Sequence, residues 1–269
     1  MAGECYRWDV SSAVTAADLD SPRTLIIGRR GRLARAFSSA WPAARAAGKE
    51  DLDITRREAV LAFISASRPR LIVNCAAMTD MRACEVDPDA AWALNVRGVR
   101  NLAEAAAAVG ATLVHYSSDY AISPINEYAW TKRGSEAFAT LTIRGKIYDA
   151  SHWAWQSLRR GEQIKMATSE HSNPITTTET VAMTAELLGR GCTGLANVGT
   201  AERLNFYEIG RSWASALGAP EELVIPIDEV PSSMPRLKEM FLPLGCLSEA
   251  GIQPRTVADD AARHLRLLT

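Results

Sequence analysis

The stretch that decides the fold is RTLIIGRRGRLARAFSSAW, residues 23–41. Its first part, RTLIIG (23–28), is a short β-branched apolar run ending in glycine and reads as a buried strand. Residues 30–41 follow with Leu33, Ala34, Phe37 and Trp41 at helical spacing. Strand, glycine turn and helix in this order open a nucleotide-binding α/β unit. Gly28, Gly31 and Ala34 stand in a G-x-x-G-x-x-A pattern. Gly28 permits the tight turn, Gly31 leaves bare main chain beside a pyrophosphate, and Ala34 lets helix and strand pack closely. Free N–H groups at the helix start face the anion. Gly28, Arg29, Arg30, Gly31, Arg32 and Leu33 are therefore the candidate phosphate loop.

The pattern repeats outward from this unit. Residues 58–67 read as a helix stopped by Pro69, and RLIVNCAA (70–77) as a strand apolar on both faces, as in parallel sheets. A long helix is expected over 87–110, opened by the N-cap Asp87 and Pro88 and closed by Gly110. Residues 111–118 and 141–147 are further strands, with a helix over 128–139 between them. Later come helices over 177–191, 205–218 and 256–269, strands over 194–200 and 222–228, and a Pro-rich loop over 231–243. Strands alternating with helices imply an α/β fold with a doubly wound parallel sheet. Residues 1–22 read as a partly mobile N-terminal extension, 23–147 as the cofactor-binding core, and 148–269 as a mixed region. Within the last, a small C-terminal substrate-binding lobe is placed mainly in 148–175 and 219–255.

Bulk properties narrow the function classes. The chain has 269 residues, 47% of them hydrophobic, and a net charge of −1. A sizeable core can be buried, and neither nucleic acid nor an anionic membrane is an expected partner. No apolar run is long enough to span a bilayer, and the first residues lack a signal-peptide pattern. The five cysteines are scattered without metal spacing, so no metal is expected, and a reducing, cytoplasmic location is the simplest reading.

The stretch HYSSDYAISPINEYAWTK (115–132) carries Ser118 at a strand end, Tyr128, and Lys132 one helical turn later. Reducing a ketone needs hydride on carbon and a proton on oxygen. A phenol with a pKa near 10 is a slow proton donor at neutral pH, and a neighbouring ammonium lowers that pKa. A serine hydroxyl orients the carbonyl and shares its developing charge. Strand alternation turns Ser117 away from the side used by Ser118. Lys49, Arg29, Arg30 and Arg32 suit a 2′-phosphate, which favours NADPH over NADH, although Glu50 and Asp51 lie nearby.

Several pieces together resemble one family: LIIGRRGRLA, DLDIT, LIVNCAAMTDMRACEVDPDAAWALNVRGVRNLAEAA, LVHYSSDY and YAWTK. The chain is similar to extended short-chain dehydrogenase/reductases, and within them to dTDP-4-dehydrorhamnose reductases. That resemblance implies a Rossmann-type fold and an NADPH-dependent reductase of a nucleotide-linked 4-keto sugar. It makes Tyr128 the general acid, Lys132 its partner and Ser118 the carbonyl ligand. It also sets Asp53 and Ile54 beside the adenine, Cys75, Ala76 and Ala77 along the cofactor cleft, and Asn95 close by. A homodimer is a possible assembly.

The chain departs from the family between Ser118 and Tyr128, where nine residues replace a longer, pocket-shaping insert. His152, Trp153 and Trp155 stand where the family has a helix near the substrate, and packing is the expected role of these rings. Two other functions stay open: an NADP-binding regulatory or scaffold subunit without turnover, and an epimerase or dehydratase of the same superfamily.

Overall fold

The computed structural model describes residues 14–149, 152–229 and 236–267. Its centre is a six-stranded sheet. Strands β1 (Thr24–Ile27), β2 (Arg45–Ala47), β3 (Leu71–Asn74), β4 (Thr112–Ser118), β5 (Leu141–Gly145) and β6 (Gly194–Asn197) are ordered β6-β5-β4-β3-β1-β2. β1 pairs in parallel with both β2 and β3, and β3 with β4. The order reverses beside β1, as a doubly wound Rossmann-type sheet requires. All residues of β1 and β3 are buried, which is why neither shows an alternating pattern.

Helices α1 (Arg32–Ala40) and α2 (Arg57–Ser67) follow β1 and β2. α2 ends at Arg68 in the left-handed conformation (φ 42°), just before Pro69. Two short helices, α3 (Met81–Val86) and α4 (Pro88–Trp92), follow β3. The carboxylate of Asp80 caps α3, and that of Asp87 caps α4 ahead of Pro88. The expected 87–110 helix is not uniform. A π turn over Ala93–Arg97 separates α4 from α5 (Gly98–Val109). α5 ends at Gly110 with φ 69°. α2 and α5 pack Val60, Ile64, Leu102, Ala105 and Ala106 with Leu25, Ile27 and Ile72 of the sheet, forming one apolar layer. α6 (Glu127–Ser135) is capped by the Asn126 side chain, which accepts from Ala129 N at 2.8 Å. It is shorter than the expected 128–139 helix.

The chain divides into two compact units. One holds the residues through Arg144 together with Met183–Ala196; the other holds Gly145–Ala182 and the residues from Asn197 onward. The second unit contains helices Trp153–Arg159, Phe206–Leu217 and Val257–Arg266 and a parallel pair of strands, Ile164–Ala167 with Val224–Ile227. Trp155 is fully buried there, edge-on to Trp213 and His264, so it serves packing; Trp153 is half exposed. Residues 1–13 of the expected extension and 231–235 of the expected Pro-rich loop lie outside the described residues. Thr15 caps the short helix Ala16–Leu19, and Thr24 Oγ1 donates to Asp18 O.

Candidate active site

The turn after β1 has the strain its glycines were expected to relieve. Gly28 takes φ +93°, and a Cβ there would lie 2.9 Å from Ala76 N. Gly31 N donates to Gly28 O at 2.7 Å, and a Cβ on Gly31 would lie 3.2 Å from the same oxygen. Gly31 is the N-cap of the nine-residue α1, so its helix-start amides are not covered by a capping side chain. Ala34 is fully buried against the sheet.

This turn opens on a cleft of about 490 Å³. Of the residues singled out in the sequence, Gly28, Arg30, Gly31, Lys49, Asp53, Ile54, Cys75, Ala76 and Ala77 line it. Arg29, Arg32, Leu33, Asn95, Ser118, Tyr128 and Lys132 do not. Sequence reasoning missed Gly48, Glu50 and Met78 as lining residues; the first two follow β2, a three-residue strand too short to announce itself. The Glu50 carboxylate accepts from Arg29 and, at 3.5 Å, from Arg30, while Asp51 pairs with Arg29 at 3.1 Å. Two of the cations assigned to a 2′-phosphate are thus engaged by acids. Thr55 donates twice to Asp53 Oδ1, which holds that carboxyl below its usual range. The cleft has the side-chain-free glycine turn at a helix start that suits a dinucleotide pyrophosphate.

α6 carries Tyr128, half-buried, and Lys132, 3% exposed. Four residues apart, they share one face of the helix. Lys132 Nζ donates to Tyr116 O on β4. Burial lowers the Lys132 pKa to about 8, with Glu136 acting in the opposite direction. Its charge acts on Cys75 in the cleft wall, whose thiol burial pushes far up. Ser118 closes β4 and is buried; its Oγ donates to Asp119 Oδ1 at 2.8 Å and accepts from Tyr120 N. Ser117 points elsewhere, donating at 2.7 Å to Glu136, which holds Arg144 in a buried two-bond ion pair.

Asn95 sits inside the π turn, fully buried. Its Oδ1 accepts from Met78 N at 2.8 Å, and its Nδ2 donates to Met78 O at 2.9 Å and to Thr131 Oγ1 at 3.0 Å. π turns concentrate at functional sites. Thr131 in turn donates to Tyr128 O at 2.8 Å. Asn95 therefore acts as a clamp between the cleft wall and the helix of Tyr128 and Lys132.

Known proteins resemble this chain in sequence and in fold. Residues 22–146 match the RmlD substrate binding domain family. The dTDP-4-keto-6-deoxy-D-glucose reductase of Streptomyces niveus is 28% identical over 236 residues, covering 77% of this chain and 82% of that protein. The methionine adenosyltransferase 2 subunit beta of Rattus norvegicus is 38% identical over 143 residues, covering 44% of this chain and 43% of that one. In fold, the chain is similar to dTDP-4-dehydrorhamnose reductase from Bacillus anthracis in complex with NADP. The TM-score is 0.83 at 23% identity, over 91% of this chain and 98% of that one. In sequence the chain is similar to dTDP-sugar reductases over most of its length, and in fold it is similar to dTDP-4-dehydrorhamnose reductase.

Proposed function

We propose that the protein is an NADPH-dependent reductase of a carbonyl group, the 4-keto group of a nucleotide-activated deoxysugar. The observation that carries the reading is Lys132: a buried ammonium, one helical turn past Tyr128, whose charge reaches the cleft wall. A lysine is costly to bury, and the hydrogen bond that offsets that cost here is the one to Tyr116 O. The named sugar-nucleotide reductases among the relatives support the substrate class.

A bound nicotinamide supplies the hydride, with NADH as the competing donor. The Gly28–Gly31 turn and the start of α1 would hold its pyrophosphate, and Asp53 and Ile54 would border its adenine. Ser118 exchanges Asp119 for the substrate carbonyl and orients it. Tyr128 gives its phenolic proton to the carbonyl oxygen as the carbon is reduced. Lys132 stabilises the phenolate left behind. Residues 148–175 and 219–255 are assigned to substrate binding.

A second reading keeps the cofactor and drops turnover. The nine-residue connection between Ser118 and Tyr128 and the resemblance to a methionine adenosyltransferase subunit favour it. Epimerisation or dehydration ranks lower, because the Glu127 carboxylate is taken by Trp92 Nε1 at 3.0 Å. The deciding experiment follows NADPH oxidation on a panel of 4-keto sugar nucleotides and simple ketones, with Tyr128→Phe alongside. Turnover on a sugar nucleotide, lost in the variant, is the expected result. NADPH binding without turnover on any ketone would replace the reductase by the regulatory subunit.

A further inference from the structure

A second hydrogen-bond chain, separate from the Asn95 clamp, also reaches the turn that carries Lys132. It starts at the cleft wall, where Ala76 N donates to Asn74 Oδ1 at 3.1 Å. Asn74 Nδ2 meets His115 Nδ1 at 3.2 Å, and His115 Nε2 meets Ser135 Oγ at 3.0 Å. Ser135 Oγ then donates to the carbonyl oxygen of Lys132 at 2.8 Å. Asn74 and His115 are register partners on β3 and β4. Asn74 is 1% exposed, and His115 and Ser135 not at all.

The direction of every hydrogen in this chain can be deduced. Asn74 Oδ1 is spent on an N–H, so the Asn74 amide presents a donor to His115, and Nδ1 must accept. At the other end, Ser135 has one hydroxyl hydrogen, and the Lys132 carbonyl takes it. Ser135 Oγ must therefore accept, and His115 Nε2 must carry the hydrogen. Both ends independently require the same neutral tautomer. An imidazolium would face the Asn74 amide donor to donor. Burial and the Lys132 charge both hold His115 well below its ordinary pKa.

We propose that His115, as the neutral Nε2–H tautomer, is a positioning residue that ties the cleft wall at Ala76 to the helical turn of Lys132. Its consequence for catalysis rests on the reductase reading above; its structural part does not. A phenylalanine fills the same space but leaves Asn74 Nδ2 without its acceptor and Ser135 Oγ without its donor, so the link through residue 115 is cut. A glutamine restores a donor near the Nε2 position. The link matters because Ala76 borders the cofactor while Lys132 serves the proton donor, and a small displacement between the two is enough to slow hydride transfer.

The test compares wild type, His115→Phe and His115→Gln, each first confirmed folded by circular dichroism. Ring 15N shifts of His115 are read in wild type, NADPH affinity by fluorescence in all three, and turnover across pH in all three. Expected are a single Nε2–H tautomer that does not titrate, and for His115→Phe an NADPH affinity and a kcat each lower by on the order of tenfold or more. His115→Gln should recover most of both. An Nδ1–H tautomer or a titrating ring overturns the proposal, as does a folded His115→Phe with wild-type affinity and kcat. If wild type binds NADPH without turning over, the reductase reading fails, and the tautomer and the affinity series still decide the role of His115. If His115→Phe does not fold, Ser135→Ala replaces it: weakened NADPH affinity supports the link, and unchanged affinity overturns it.

Discussion

Asn95 Nδ2 stands 3.0 Å from Thr131 Oγ1, which joins the π turn to the helix of Tyr128 and Lys132. The same amide group satisfies both backbone groups of Met78. Asn95→Ala therefore strips partners from Met78 and from Thr131 at once. A loss of about 1–3 kcal/mol is expected for each group left buried and unpaired. Thr131→Val removes only the bridge and should cost less, on the order of 1 kcal/mol. Urea unfolding of both variants checks the order. If Thr131→Val were the more destabilised, Met78 would not be the main load on Asn95.

Lys132 should set the alkaline side of the activity profile. On the proposed reading its ammonium form stabilises the Tyr128 phenolate, and burial brings its pKa down to about 8. We expect kcat/KM to fall as pH rises above about 8. Stability should move the other way. The unfolded lysine titrates near its model value of 10.5 and so binds more protons than the folded one between about 8 and 10.5. Unfolding free energy therefore rises with pH through that window, and the gain is lost as pH falls through 8. Lys132→Met should flatten this rise and leave on the order of 1% of turnover or less. A pH–rate profile with no alkaline limb, measured with enzyme shown to be folded, would remove Lys132 from proton transfer.

Glu50 is expected to weaken the preference for NADPH. Its carboxylate lines the cleft and engages Arg29 and Arg30, the cations that best suit a 2′-phosphate. The pairs are exposed and cheap to rearrange. Glu50→Gln removes the competing charge and should raise the NADPH-to-NADH affinity ratio about two- to fivefold. Fluorescence titration with both nucleotides measures it. An unchanged ratio would mean that the 2′-phosphate is held by other groups, with Lys49 the next to test.

Gly28→Ala should abolish dinucleotide binding and lower stability. An alanine at φ +93° is strained, and its Cβ would lie 2.9 Å from Ala76 N, a backbone atom that cannot move alone. Destabilisation of more than about 1 kcal/mol is expected. Gly110→Ala is the control: its φ is also positive, but nothing lies within 4 Å of the added atom. It should lose stability with NADPH affinity intact. Equal affinity losses in the two would make the effect one of folding and not of the turn.

The sequence was most legible where structure depends on neighbours along the chain. The strand, turn and helix of residues 23–41 follow from apolar spacing and from Gly28 and Gly31. The shared face of Tyr128 and Lys132 follows from helical geometry, and the start of α4 from Asp87 and Pro88. Those readings needed only local sterics and capping. Other features were out of reach. Glu50 read only as an acid near the cations suited to a 2′-phosphate, and its place in the cleft wall was hidden because the strand before it has three residues. His115 lies in the strand expected over 111–118, and no spacing along the chain names its partners. The helix over 87–110 showed no sign of the π turn, since a shift in backbone hydrogen bonding leaves the apolar pattern almost unchanged.

By itself, then, the sequence determined the fold class, the glycine turn and where the proposed set of Ser118, Tyr128 and Lys132 falls on its strand and helix, because each is written in spacings of a few residues. Only the tertiary structure decided which polar groups hold that set in place. Asn74 and His115 are 41 positions apart, and Asn95 and Thr131 are 36 apart. A buried polar side chain must find a partner wherever the folded chain provides one. For these residues the partner comes from strand order and helix packing, which no local pattern encodes.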